Sequence, residues 1–183
     1  ALDSARPGVG HREEAWLGMG ATRSTIDSTT ASVLFAASSL LHPIRSNAPA
    51  RGWFEADIEN DRFARGSALS GRLEVPLADL SSGNALVDRE MRRRAGSAAH
   101  PLIIADIDST LDLEGTQATI AGTIHFSGRS ELVQGTIALL PGPRIAGTGE
   151  FDVRWWGFDP PRILVVRVDP IVTVEIDVPL IAG

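Results

Sequence analysis

LIIADIDSTLDLEGTQATIAGTIHFSGRSELVQGTIALL, residues 102–140, changes character at almost every second residue. In its first third, Ile103, Ala105, Ile107, Ser109, Leu111 and Leu113 fall on one side, with Asp106, Asp108, Thr110 and Asp112 on the other. A period of two marks a strand with one face in a core and the other in water. Ala118, Ile120, Gly122, Ile124 and Phe126 continue the apolar series. Glu114-Gly115 and Ser127-Gly128 are turn formers between these runs. The stretch reads as three antiparallel strands joined by tight turns.

The pattern extends outward in both directions. SALSGRLEVPL (67–77) sets Leu69, Gly71, Leu73, Val75 and Leu77 against Ser70, Arg72 and Glu74. IVTVEIDV (171–178) sets Val172, Val174, Ile176 and Val178 against Thr173, Glu175 and Asp177. ASVLFAASSLL, GWFEADIE, ELVQGTIALL and IAGTGEFDV alternate less cleanly, and Pro141-Gly142-Pro143 supplies another turn. About eight short antiparallel strands predict an all-β chain with one or two short helices, folded as a sandwich or a closed barrel. Residues 1–24 are weakly patterned and read as an N-terminal extension to a barrel domain at 25–183. EEAWLGM invites a short helix there, but GVG and GMG interrupt it.

Composition narrows the function. At 183 residues, 43% hydrophobic and 22% charged, the chain fits one globular domain with a sizeable core. The net charge of -6 and the absence of tyrosine argue against nucleic acid, which needs clustered cations and stacking platforms. All 17 basic residues are arginine, a bias that fits a GC-rich, bacterial kind of genome. Without cysteine there is no disulfide, thiolate nucleophile or thiolate metal site. No signal-peptide core is visible, so the cytoplasm is the default compartment; a chain that starts at Ala1 leaves export open.

The middles of the inward faces are short. They hold Ala37, Ala56, Gly71, Ala105, Gly122, Gly135, Gly147 and Gly149, while the last strand keeps bulk at Val174 and Ile176. Around them the walls are apolar: Phe35, Phe54, Leu73, Ile107, Ile124, Ile137 and Phe151. An eight-stranded barrel either fills with side chains or holds one small ligand. A waist of small residues favours a cavity with few inward polar groups, suited to an oily ligand. The competing reading of each glycine is a strand bend at a barrel corner.

TIDSTTASVLF (25–35) resembles the opening strand of the YceI-like family, lipocalin-like polyisoprenoid-binding barrels, in which an Asp precedes a Ser-Val-x-Phe run. Asp27, Ser32, Val33 and Phe35 occupy those places here. SGRLEVPLADLSSGNALVDREM is similar to the family's strand, Gly-Asn and Asp-led helix, and AAHPLIIADIDST to the helix end, Pro and strand that follow. IAGTIHFSGRSELVQGTIAL resembles its hairpin, and WWGFDPP stands where an Asp-Phe-Gly stretch is frequent. The chain departs from the pattern at Thr25, where a Trp is common before the Ile-Asp pair, and at Thr30, where a His is common. The resemblance, over residues 25 to 178, implies an elongated antiparallel barrel holding a quinone or prenyl diphosphate-like lipid.

SGNALVDREMRRR (81–93) interrupts the strands with charge. Asn84 suits an N-cap and Gly96 a C-cap, which predicts a helix over roughly 85–95. Asp88–Arg92 and Glu90–Arg94 are acid-before-base pairs four apart, each contributing about 0.2–0.5 kcal/mol. Val87, Met91 and Ala95 share an apolar face able to lie on the barrel. Arg89 and Arg93 lack an acid at that spacing. They read as a solvated face, with a diphosphate headgroup, a membrane surface or a partner as functional alternatives.

Catalytic signatures are missing. His11, His42, His100 and His125 have no second ligand at metal spacing, and neither a G-x-S-x-G elbow nor a phosphate-binding loop appears. The carboxylates of Asp57/Glu59 and Asp106/Asp108 alternate outward. Trp155-Trp156 reads as a barrel-end pair, one residue capping and its neighbour at the rim, with a portal as the functional alternative. The expectation is a non-enzymatic protein that sequesters or transports a long-chain isoprenoid, with no metal and no cofactor beyond the bound lipid. Transient membrane contact and a homodimer are compatible with it. The alternative is a filled β-barrel serving as an interaction or structural module.

Overall fold

In the computed structural model, which describes residues 21–39, 43–160, 162–163 and 166–182, the sheet closes on itself. Its strands are β1 (Thr22–Ile26), β2 (Ser32–Ser39), β3 (Ile44–Pro49), β4 (Arg51–Ala56), β5 (Ile58–Glu59), β6 (Arg62–Phe63) and β7 (Ser70–Pro76). After the helix α1 (Ala85–Arg94) come β8 (Leu102–Glu114), β9 (Gln117–Phe126), β10 (Arg129–Leu140), β11 (Arg144–Asp152), β12 (Arg162–Ile163) and β13 (Val166–Ala182). His11, His42 and the helix read in EEAWLGM lie outside the described residues. β1 begins at Thr22, three residues inside the stretch read as an extension.

Two strand paths are each broken into halves. β1 and β2 both pair with the long β13, Ile26 opposite Leu180 and Val33 opposite Ile176. Between them Asp27 organises a turn, its carboxylate accepting the Thr29 amide at 3.0 Å, the Thr29 hydroxyl at 2.6 Å and the Thr30 hydroxyl at 2.8 Å. β3 and β4 follow the same course one strand over, pairing with β2 and β1 respectively. With β7, β8, β9, β10, β11 and β13 these make eight antiparallel paths, and the β1–β13 pairing closes the barrel. Closure removes the free edges along which sheets aggregate.

The hairpin between β9 and β10 turns in two residues, Ser127 and Gly128, both at positive φ. That is the backbone a two-residue hairpin turn needs to match strand twist. β8 departs from strict alternation. Its register against β9 shifts between Ile107 and Ser109 and again between Thr110 and Asp112. Each bulge adds a residue and turns the following side chains over. Ser109 and Leu111 therefore face solvent instead of the core, while Thr110 turns back and its hydroxyl accepts the Leu69 amide at 2.8 Å. By Leu113 the original phase has returned.

One end of the barrel is solid. Ala56, Phe63, Leu69, Ala118, Leu139 and Leu180 are buried there, beside the β8–β9 turn, whose Gly115 carbonyl accepts the Phe63 amide at 3.0 Å. Phe63, on the β5–β6 hairpin, stacks 6.3 Å from Phe54. The opposite end is covered by α1 and by the segment 153–160.

Candidate functional site: an apolar cavity beneath a helix

A cavity of about 350 Å³ lies between the solid end and α1, within the range of pockets that enclose small ligands. Its lining is almost wholly apolar. Of the expected lining residues, the structure brings together Phe35, Ala37, Phe54, Gly71, Leu73, Ala105, Ile107, Gly122 and Ile124. Gly135, Ile137, Gly147, Gly149, Phe151, Val174 and Ile176 complete that set. Ala56 is not among them: it is buried at the end of β4, beyond the cavity floor.

The glycines act differently from one another. A Cβ added at Gly135 meets nothing within 4 Å, so this residue faces open space. A Cβ at Gly122 falls 2.1 Å from the backbone oxygen of Asp106, so glycine there permits close approach of β8 and β9. Phe54 and Ile107 side chains reach over Gly71, Ile176 over Gly147, and the Phe151 ring over Gly149 at 2.6 Å from an added Cβ. Three of the five waist glycines, Gly71, Gly147 and Gly149, thus receive a neighbour's side chain. Of these five, Gly135 alone faces open space.

The wall also includes Val33 and Ile145, in phase with Phe35 and Gly147, together with Ile26 from the first path and Phe158 from the covering segment. Phe126, already in phase with Ile124, stacks on Phe158 at 5.3 Å. Trp156 is only 3% exposed, borders the cavity, and donates its Nε1–H to the Ile124 carbonyl at 2.8 Å. Trp155 is 52% exposed and stays outside the cavity wall.

α1 forms the cover. Asn84 caps it, its side chain accepting the Leu86 and Val87 amides at 3.0 and 3.3 Å, and Gly96 follows at positive φ. Val87 and Met91 face the cavity, and Ala95 is fully buried. Asp88 is not a surface partner of Arg92. It is 5% exposed and accepts the Ser82 hydroxyl at 2.6 Å, the Ser82 amide at 2.8 Å and the Ser81 hydroxyl at 2.9 Å. The Ser81 amide in turn donates to the hydroxyl of Ser46 on β3 at 2.8 Å. Burial pushes the Asp88 carboxyl up, but the Ser82 and Ser81 donors and the charge of Arg92 outweigh it and hold it below the ordinary value. Arg92 donates to the Ala78 and Leu80 carbonyls instead.

Arg93 has an acid partner after all, at the spacing of three: its Nη2 lies 2.7 Å from Glu90. Arg94 shares the same carboxylate at 2.7 Å. The two guanidinium groups lower the Glu90 carboxyl to about 2. Arg89 is exposed and makes no ion pair among the described residues. Neither Arg89 nor Arg93 borders the cavity.

The outer wall carries cross-strand polar pairs. Arg72 grips Asp106 with two hydrogen bonds, 2.7 and 2.9 Å. His125 Nε2 lies 3.4 Å from Asp106, and its Nδ1 shares a 2.7 Å hydrogen bond with Ser130. Ser, His and Asp meet here on a sheet face, where neighbouring amides are engaged in the ladder and Asp106 is committed to Arg72. The arrangement pins strands together. Among the described residues, no group of three or more His, Asp or Glu is placed to hold a metal ion. A more open hollow on the outer wall, edged by Thr136, Thr148, Glu175 and Asp177, lacks the apolar enclosure of the interior.

No family model matches the sequence, and no curated protein matches it. Solved structures do match in fold. BcnA from Burkholderia cenocepacia superposes with a TM-score of 0.67 at 10% identity, over 84% of this chain and 98% of that one. A polyisoprenoid-binding domain from Saccharophagus degradans gives 0.66 at 12% identity, over 89% and 99%. The YceI protein of Campylobacter jejuni gives 0.58 at 11% identity, over 76% and 86%.

Proposed function

We propose, from the premise that the chain has the YceI-like, lipocalin-like barrel fold, that it is a non-enzymatic lipid-binding protein that sequesters or carries a polyisoprenoid. The observation that carries this reading is the apolar cavity of about 350 Å³ under α1. Burying hydrocarbon stabilises by about 0.8 kcal/mol per CH₂ relative to water. A lipid leaving a bilayer needs only a comparably apolar seat, so a wall nearly free of polar groups permits reversible exchange. The buried polar side-chain atoms among the described residues all have hydrogen-bond partners, so none of them is left reaching for a headgroup. That the Saccharophagus degradans domain of the same fold binds polyisoprenoid supports the choice of ligand class.

The filled-barrel interaction module fares worse, since it needs the interior packed where Gly135 meets open space. The test uses Trp156, which borders the cavity. Titration with prenyl alcohols and prenyl diphosphates should change its fluorescence saturably, at one lipid per chain. A linear, unsaturable response, or none, rejects the reading.

A further inference from the structure

The lid end of the barrel carries two features that the cavity does not use. Leu86 is 67% exposed on the first turn of α1, and Trp155 is exposed on the covering segment at the same end. The Arg94 side chain donates to the Asp159 carbonyl at 3.3 Å, joining α1 to that segment. Between Ala85 and Arg94 there are four arginines and two acids. One of those acids, Asp88, is buried, and the other, Glu90, is shared by Arg93 and Arg94. The exposed side of α1 is therefore positive on a chain whose net charge is -6, while on the covering segment Arg154 is paired with Asp152 and Asp159 is exposed. At the far end, by contrast, the exposed Glu59, Asp61, Asp112 and Glu114 outnumber the exposed Arg62 and Arg65 around the β5–β6 hairpin and the β8–β9 turn.

We infer that the lid end docks onto anionic lipid bilayers, with Arg89 and Arg93 against lipid phosphates and Leu86 and Trp155 in the headgroup boundary. Charge complementarity selects this occupant. An anionic surface attracts the basic outer face of α1, repels the acidic far end, and so turns the cavity's cover toward the membrane. Tryptophan suits that depth, with an apolar ring and a polar N–H. The inference rests on the lipid-carrier reading for its purpose, but its physical claim is separate: this face meets membranes whether or not the cavity is filled.

Co-sedimentation with vesicles of phosphatidylglycerol in phosphatidylcholine, against phosphatidylcholine alone, tests it. Binding is expected only to the anionic vesicles and should weaken as salt screens the charges. Each arginine near such a surface multiplies binding about fivefold, so Arg89→Gln with Arg93→Gln should weaken it about 25-fold. Arg62→Gln, at the far end, should leave it unchanged. Trp155→Phe should remove the blue shift that vesicles produce in tryptophan emission. Equal binding to both vesicle types, or an unaltered double variant, overturns the inference. So does a dimer in light scattering that Trp155→Ser disperses, without vesicle binding, since the face then serves a second copy. Trp156 quenching by lipid in vesicle-free solution reports the carrier reading separately, so either claim can fail alone.

Discussion

The carboxylate of Asp88 accepts the Ser82 hydroxyl at 2.6 Å, tying the first turns of the covering helix to the connection that precedes it. Through the Ser81 amide and the Ser46 hydroxyl the tie continues into the barrel wall. Asp88→Ala should cost about 2 kcal/mol in urea unfolding, because it removes hydrogen bonds to a charged group and strands their donors.

The same carboxyl makes stability depend on pH. Its folded-state value lies below the ordinary 3.8. Its contribution is therefore present in full above the unfolded value and is lost as pH falls through the folded one. Wild type and Asp88→Ala should differ most near neutrality and converge in acid. Parallel stability curves down to the acid limit would contradict this.

Glu90 titrates at about 2 because Arg93 and Arg94 both donate to it. Carboxyl-detected NMR should show its midpoint well below that of an ordinary glutamate. Glu90→Gln should release both guanidinium groups and tighten binding to anionic vesicles.

Gly122 and Gly135 should respond in opposite ways. Gly122→Ala drives a Cβ into the Asp106 carbonyl and should lower stability by about 1–3 kcal/mol. Gly135→Phe projects into free space, so it should fold normally by circular dichroism and fill the cavity.

Trp156→Phe removes the hydrogen bond to the Ile124 carbonyl and should cost about 1 kcal/mol by thermal unfolding. It should also abolish the fluorescence response to added lipid. A response that persists would place the reporter elsewhere.

Much of this architecture is legible in the amino-acid order because alternation and burial are one signal. Ile120, Gly122, Ile124 and Phe126 all reach the cavity, as a period of two requires. Asn84 and Gly96 mark the helix ends for reasons local to the backbone. The departures come from interactions between distant segments. Nothing in DIDSTLD announces two bulges, since a bulge is set by the strand opposite. Asp88 looks like half of an ion pair until the chain before it folds back and buries it. Arg93 has no acid at the spacing of four, but Glu90 lies three residues before it, on the adjacent turn. Gly122 and Gly135 are identical letters in similar strands, and only the neighbouring backbone makes one a close approach and the other a vacancy. Ala56 is in phase with the wall but past its floor, a matter of depth that periodicity does not encode.

The most direct measurement is native mass spectrometry of the purified protein beside its Gly135→Phe variant, each offered a prenyl lipid. Wild type should carry one lipid-sized adduct, released on denaturation, while the folded variant flies bare. A bare wild type after exposure, or an equal adduct on both proteins, would contradict a lipid seat at Gly135.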